Sequence, residues 1–310
     1  MKILFIDSTD NLLVQLLSEQ GHTLEHDYVS TKKEIEQKLH LFDGIVIRSR
    51  FKIDKQIIDS ATNLKFIARV GSGMENIDVA YAEEKNIKCL HAPEGNCDAV
   101  AEHAIGMLLC LFNNLIAANN ESKQGIWKRE ENRGLEIGGK TIGLIGYGNV
   151  GKAIAKKLSG FDVRIMVYDK YLKNFSTEFV TESNMQELYK ECDIVSLHIP
   201  LSQETQYLAN DSFFKAFTKN IYFINTSRGK IVNTADLVHN LKSGKIKGAC
   251  LDVLEYETSS FEQVELTDLP SPFQYLMKSY NVVMSPHIAG WTHESNTKMS
   301  KILAEKISKI

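Results

Sequence analysis

One run constrains this chain more than any other: Thr141-Ile-Gly-Leu-Ile-Gly-Tyr-Gly-Asn-Val-Gly151. An apolar stretch with strand character feeds Gly146, Gly148 and Gly151, and a helical pattern follows at once. G-x-G-x-x-G is a plain glycine turn when it stands alone. Between a strand and a helix it is the phosphate-binding turn of a βαβ unit. Gly146 allows the tight turn, Gly148 lets backbone approach a pyrophosphate, and Gly151 lets the helix close on the strand. Together with Tyr147, Asn149 and Val150, these residues offer the free N–H groups of a helix start to negative charge. The next strand pattern, Val163-Arg-Ile-Met-Val-Tyr-Asp169, ends in an acid 18 residues beyond Gly151. A carboxylate there accepts hydrogen bonds from an adenosine ribose and repels a 2′-phosphate, which predicts NAD rather than NADP.

A glycine fingerprint normally opens its domain, yet here it starts after 140 residues of other sequence. The chain has 310 residues, which suggests two domains at roughly 150 residues each. The first part alternates strand patterns at 2–7, 44–48, 65–70 and 88–90 with helical ones at 11–20 and 31–40, the second opened by a Thr31/Glu34 capping box. A mostly apolar segment at 99–119 reads as one long helix, and 125–139 is a polar connection. A second series follows, with six strands near 141–146, 163–169, 194–199, 221–226, 246–253 and 281–285. Residues 258–272 read as a long loop, and 292–310 as a last amphipathic helix. Strands alternating with helices imply parallel sheets covered on both faces. The expected fold is therefore α/β, with two Rossmann-like, doubly wound domains. A discontinuous, flavodoxin-like substrate domain would comprise 1–97 and 287–310, and an inserted cofactor domain 98–286.

Composition excludes several classes. A net charge of −3 gives no footprint for nucleic acid or an anionic membrane. The apolar run 104–118 is interrupted by Gly106, Asn113 and Asn114, too polar to span a bilayer. The N-terminus lacks the pattern of a signal peptide. The five cysteines (Cys89, Cys97, Cys110, Cys192, Cys250) have no C-x-x-C or ligand spacing. Free thiols in a reducing cytoplasm and no metal site are expected.

Three segments beyond the fingerprint carry chemistry. Ile224-Asn-Thr-Ser-Arg-Gly-Lys-Ile-Val232 places Arg228 just past a strand. Gly248-Ala-Cys-Leu-Asp-Val-Leu-Glu-Tyr-Glu257 places Asp252, Glu255 and Glu257 past the next. Met284-Ser-Pro-His-Ile-Ala-Gly-Trp291 places His287 past the last. Open α/β sheets bind ligands at the carboxyl ends of their strands. An arginine, an acid and a histidine at three such ends point to one crevice. Taken singly, His287 has the character of a structural histidine, as do the eight others. His103, for example, reads as a residue that caps or packs within its own helix. Ser72 and Gly73 stand in a glycine-rich turn whose N–H groups suit a carboxylate.

With Arg69-Val-Gly-Ser-Gly-Met-Glu-Asn-Ile-Asp78, Glu94-Gly-Asn-Cys-Asp-Ala-Val-Ala-Glu-His103 and Ser196-Leu-His-Ile-Pro200, these segments resemble the D-isomer-specific 2-hydroxyacid dehydrogenases. That family includes D-3-phosphoglycerate dehydrogenase and formate dehydrogenase. The resemblance covers nearly the whole chain. It implies hydride transfer between nicotinamide C4 and C2 of a 2-hydroxy or 2-oxo acid, in a cleft between the two domains. His287 would exchange the proton at the C2 oxygen. Glu257 would orient its ring and favour the imidazolium. Arg228 would hold the substrate carboxylate. The family's proline after that glutamate is here Thr258. The resemblance also implies that Asp252 contacts the nicotinamide carboxamide, with Thr226, Ser227, His198 and Pro200 lining the cofactor site. Arg48 and Ser49 would meet a substrate phosphate, as in phosphoglycerate dehydrogenases. Trp291 either walls the pocket or packs at the root of the last helix. D-3-phosphoglycerate, hence serine biosynthesis, is the first substrate expectation. Glyoxylate, hydroxypyruvate and D-lactate are alternatives within the family, and an NADH-sensing corepressor-like protein is one outside enzymology. Relatives pair through the first helix of the cofactor domain, so a homodimer is expected.

Overall fold

The structure, a computed structural model, describes residues 1–257 and 269–310. Its described residues divide into two compact units, one built from Met1–Cys97 and Trp291–Ile310, the other from residues 98–257 and 269–290. The second boundary therefore falls at Gly290/Trp291, whereas the sequence placed it at 286/287.

The first unit holds a five-stranded sheet of β1 (Lys2–Phe5), β2 (Thr23–His26), β3 (Gly44–Ile47), β4 (Phe66–Arg69) and β5 (Lys88–Leu90). The strand order is β2-β1-β3-β4-β5, and every pairing is parallel. Successive side chains leave opposite faces of a strand, so each strand feeds two cores. Leu4, Ile45, Ile47 and Ile67 pack with Ile35, Leu39, Ile57 and Ile58 on one face. Ile3, Phe5, Val46 and Phe66 pack with Leu13 and Leu17 on the other. That second face is completed by Met299, Leu303 and Ile307 of the terminal helix His293–Ile307. Gly44 lies opposite Phe66 in register, and a Cβ there would stand 2.1 Å from the Phe66 ring. The glycine makes room for the phenylalanine.

The second unit holds a seven-stranded parallel sheet of β6 (Thr141–Ile145), β7 (Arg164–Tyr168), β8 (Val180–Glu182), β9 (Ile194–Leu197), β10 (Ile221–Asn225), β11 (Ile246–Leu251) and β12 (Val282–Met284). Its order is β12-β11-β10-β9-β6-β7-β8. The chain runs outward from β6 to β8, then returns to lay β9 on the other side of β6. The loops after β6 and β9 thus flank the switch point where such sheets bind ligands. Alternate residues again face two cores: Ile165 and Val167 meet the helices Cys97–Phe112 and Asn149–Leu158. Met166, Val195 and Leu197 meet Leu188, Phe213 and Phe214 from the opposite side.

Three expectations need correction. The long helix at 99–119 is two helices, Cys97–Phe112 and Leu115–Lys123, bent by 62°. Asn114 adopts a left-handed backbone (φ 51°), which asparagine tolerates better than most residues. The Phe112 carbonyl accepts from Leu135 N at 2.8 Å instead of extending the helix. Two strands, β2 and β8, had no signal: both are short edge strands without an apolar run. The second sheet accordingly has seven strands rather than six. The expected loop at 258–272 lies outside the described residues as far as 268, and from Ser271 the chain is helical to Lys278. No single helix among the described residues is long and apolar enough to cross a membrane.

Because the terminal helix covers one face of the first sheet, Leu303, fully buried there, is a sensitive probe. Leu303→Ala should cost about 3 kcal/mol, measured as a fall in the urea midpoint at unchanged m-value.

Candidate active site

The fingerprint turn is built as its glycines predict. Gly146 has φ +100°, and a Cβ on it would lie 2.3 Å from the His198 carbonyl oxygen. A Cβ on Gly151 would lie 2.1 Å from the Gly146 carbonyl oxygen, so the helix closes directly on the turn. Gly148 differs: a Cβ there meets nothing within 4 Å. It caps the helix Asn149–Leu158 without any side-chain hydrogen bond to the first-turn N–H groups. Asn149 and Val150 form that first turn, while the Tyr147 ring packs away on Phe175 at 4.6 Å. The bare glycine and uncapped helix start make a cradle that the chain itself does not fill.

Asp169 stands at the end of β7. Its Oδ2 accepts from Tyr147 N at 2.8 Å, and its Oδ1 from Tyr171 N and Leu172 N, each at 2.9 Å. Burial works to raise its pKa, but these three donors outweigh burial and hold it below the ordinary carboxylate range. After β9, both ring nitrogens of His198 are buried without a hydrogen-bond partner, as is Thr226 Oγ1 after β10. Burial pushes the His198 imidazole down to about 4. Ser227 is engaged: its Oγ donates to the Leu197 carbonyl at 2.6 Å. Pro200 is exposed, and its carbonyl accepts from Thr205 Oγ1. Orphaned polar atoms and an unfilled glycine cradle at neighbouring strand ends fit a bound dinucleotide.

The histidine lies beyond β12. His287 Nδ1 and Glu257 Oε2 are 2.6 Å apart, and Glu257 Oε1 accepts from Leu254 N, which fixes the carboxylate. Both side chains are largely buried. His287 itself has φ +55°, a left-handed conformation costing about 1 kcal/mol or more for such a residue. Three acids were candidates on sequence, and the structure separates them. Glu257 takes His287. Glu255 takes the Tyr207 hydroxyl at 2.8 Å and Thr234 N at 3.0 Å. Asp252, 1% exposed, accepts from Ile288 N and Ala289 N at 2.9 and 2.8 Å and from Ser285 Oγ at 2.6 Å. Its carboxylate is thus committed to the backbone around His287.

Arg228 is half-buried, and one guanidinium N–H donates to the Ser227 carbonyl at 2.6 Å. A Cβ on Gly229 would lie 1.9 Å from the Leu254 carbonyl oxygen, so the arginine segment packs against the turn leading to Glu257. Asn225, buried at the end of β10, shapes this segment. Its Oδ1 accepts from Ser227 N and its Nδ2 donates to the Arg228 carbonyl, both at 3.0 Å. Sequence reasoning passed over Asn225, although Asn two residues before Ser227 is an Asx-turn signal. It also passed over Ser285, and it confined His103 to its own helix. His103 Nε2 in fact reaches Ser285 Oγ at 2.8 Å.

In the first unit, the N–H groups of Arg48, Ser49 and Arg50 all point at Asp7 Oδ2, at 2.6, 3.0 and 3.2 Å. The backbone nest after β3 is therefore filled by the chain's own carboxylate, and only side chains there can meet a ligand. The Arg48 guanidinium lies 4.3 Å from the centre of the Trp291 ring. Ser72 and Gly73 sit in a braced turn. Ser72 Oγ donates to Asn96 Oδ1 at 2.6 Å, Arg69 donates to the Gly73 carbonyl at 2.5 Å, and the Ser72 carbonyl takes His91 Nδ1 at 2.6 Å. No cluster of three metal-ligating side chains occurs among the described residues, and the five cysteines are free thiols.

Comparison with known proteins places this geometry. Residues 105–289 match the model of the D-isomer specific 2-hydroxyacid dehydrogenase NAD-binding domain. A D-3-phosphoglycerate dehydrogenase of Archaeoglobus fulgidus is 32% identical over 99% of the chain, which spans 56% of that enzyme's length. A hydroxypyruvate reductase of Thermotoga maritima is 34% identical over 98% of the chain and 96% of its own length. A D-lactate dehydrogenase of Aquifex aeolicus, solved with NAD and lactic acid, superposes with a TM-score of 0.85. It is 26% identical, over 99% of the chain and 94% of its own.

The two helix-start glycines should respond differently to a methyl group. Gly148→Ala should leave the melting temperature in place and weaken NAD binding about tenfold by titration. Gly151→Ala should destabilise the fold by about 2 kcal/mol, because its methyl meets a carbonyl. His198 gives a pH signature. Its folded pKa lies below the unfolded value near 6.5, so the unfolded chain binds the extra proton. Its contribution is intact above about 6.5 and is lost as pH falls toward about 4. Urea midpoints across that window should fall less steeply for His198→Gln than for the wild type.

Proposed function

The chain belongs to the D-isomer specific 2-hydroxyacid dehydrogenases, and from that premise we propose that it transfers a hydride between NAD and C2 of a D-2-hydroxy acid or its 2-oxo acid. The observation that carries this reading is the 2.6 Å contact between His287 Nδ1 and Glu257 Oε2 beyond the last strand of a dinucleotide-binding sheet. Bound NAD supplies or accepts the hydride at its nicotinamide. The residues of the chain do the rest. Gly146, Gly148 and Gly151 form the pyrophosphate cradle, with the N–H groups of Asn149 and Val150 directed at the charge. The Asp169 carboxylate, at the end of β7, would accept from the adenosine ribose hydroxyls and repel a 2′-phosphate.

Glu257 holds Nδ1 of His287, which leaves Nε2 as the atom that gives or takes the proton of the C2 oxygen. Arg228 is the cation for the substrate carboxylate, held by the Asn225 turn so that little ordering is required on binding. In the first unit, the glycine-rich turn of Ser72 and Gly73 is of the kind whose N–H groups suit a carboxylate. Asp252 accepts from Ile288, Ala289 and Ser285, and in this proposal it shapes the His287 turn while its Oδ2, which takes one donor, also accepts from the nicotinamide carboxamide.

Two substrates are favoured by specific observations. Arg48, an arginine stacked on Trp291, suits a phosphorylated acid, and the first proposal is D-3-phosphoglycerate with 3-phosphohydroxypyruvate. The near-complete overlap with a hydroxypyruvate reductase favours the unphosphorylated 2-oxo acid. The proposed assembly is a cytoplasmic homodimer. The helix Leu115–Lys123 buries none of its residues, and Leu115, Ile116 and Trp127 are exposed by 50%, 50% and 79%, an apolar surface of the kind that subunits cover.

His287→Ala should bind NADH within about twofold of wild type and lose turnover by at least about 10³-fold. Turnover at the wild-type rate would remove the proton donor from the proposal. A steady-state panel of 3-phosphohydroxypyruvate, hydroxypyruvate, glyoxylate and pyruvate, run with wild type and Arg48→Ala, decides the substrate. A loss in kcat/KM confined to the phosphorylated acid assigns Arg48 to the phosphate. Equal kcat/KM for phosphorylated and plain acids excludes it.

A further inference from the structure

We propose that His103 is a positioning residue for His287, acting through Ser285 and Asp252. The proposal rests on the reading of His287 as the proton donor. His287 is held in left-handed backbone by bonds that converge mainly on Asp252. Its own N–H is shared between the Asp252 carbonyl at 2.8 Å and the Ser285 carbonyl at 3.1 Å, and the next two N–H groups, of Ile288 and Ala289, donate to the two Asp252 carboxylate oxygens. The orientation of that buried carboxylate therefore sets where the histidine backbone lies.

The carboxylate is oriented in turn by Ser285, and hydrogen-bond inventory fixes every direction in the chain. A hydroxyl has one proton. Ser285 Oγ gives it to Asp252 Oδ1 at 2.6 Å, since a carboxylate can only accept and is a far stronger acceptor than the Met107 sulfur at 3.7 Å. The Ser285 oxygen must then accept from His103 Nε2, at 2.8 Å, so that nitrogen carries a proton. The same nitrogen stands 3.5 Å from Asp252 Oδ1. His103 belongs to the helix Cys97–Phe112, packed on the sheet through Ala104, Leu108 and Leu111. A rigid helix thus holds the first donor of a relay that ends at the backbone of His287. Misplacement of a proton donor by about 1 Å costs on the order of 10²-fold in rate. Partial release of this relay should be felt in the chemical step and not in cofactor binding.

The test uses the full chain in four forms: wild type, His103→Leu, His103→Gln and Ser285→Ala. Glutamine can present an N–H close to the place of Nε2, and leucine cannot. Expected for His103→Leu and Ser285→Ala are a kcat reduced about tenfold or more and an NADH Kd within about twofold of wild type. The primary isotope effect with NADH deuterated at C4 should be larger. A low-field His287 Nδ1–H proton resonance, expected to be sharp in wild type because of the Glu257 bond, should broaden. His103→Gln should recover most of the rate and the sharp resonance.

Wild-type kcat and a sharp resonance in both His103→Leu and Ser285→Ala would overturn the proposal. So would a His103→Gln as impaired as His103→Leu, which would mark the histidine as a packing residue. If the wild-type chain turns over no 2-oxo acid, the functional reading fails separately. The resonance then decides positioning alone: broadened in His103→Leu and restored in His103→Gln supports it, and unchanged overturns it.

Discussion

A single buried carboxylate, that of Asp252, organises the turn that carries His287. A charge 1% exposed is tolerated only when its lone pairs are filled, and here two backbone N–H groups and a hydroxyl fill them. The return is geometric. Those N–H groups belong to the residues just after His287, so satisfying the charge forces the chain through a left-handed turn at the histidine. The imidazole is then presented to Glu257 at 2.6 Å. An apolar side chain at 252 would leave the Ile288 and Ala289 N–H groups without these acceptors and nothing to offset the strain at His287.

The parallel sheet supplies the frame for that turn. Parallel strands linked by right-handed crossovers all deliver their carboxyl ends to one edge. Gly146, Asp169, His198, Arg228, Asp252 and His287 all follow strands of the second sheet, each within a few residues of a strand end. The same principle shapes the first unit, where Asp7 after β1 is met by the N–H groups of residues 48–50 after β3. One edge is a ligand site in prospect, and the other shows a nest closed by its own acid.

Much of this was legible in residue order. The strands with continuous apolar runs were found because burial on both faces writes an unbroken pattern. β2 (Thr-Leu-Glu-His) and β8 (Val-Thr-Glu) were not, because these short edge strands carry one apolar residue each and leave no such run, whereas the equally short edge strand β12 is Val-Val-Met. The break at Asn114 was hidden inside an apolar segment, since buried helix and bent helix look alike until the Phe112 carbonyl is seen to be taken by Leu135. Arg228, Glu257 and His287 were legible as an arginine, an acid and a histidine following strands. That Glu257 and not Glu255 faces the histidine came from family likeness, and two residues along an irregular loop carry no periodicity to tell them apart.

The sequence by itself determined the kind of protein this is. The glycine spacing, the acid after β7 and the alternation of strand and helix are local patterns, each imposed by backbone sterics and burial within a few residues. Only the tertiary structure decided the partners. Asp7 at the nest of residues 48–50, His103 at Ser285 and Asp252 at the turn after His287 join residues tens to hundreds of positions apart. Hydrogen bonds are satisfied by what lies near in space, and a polar residue does not record in its neighbours in sequence which distant donor or acceptor it will meet.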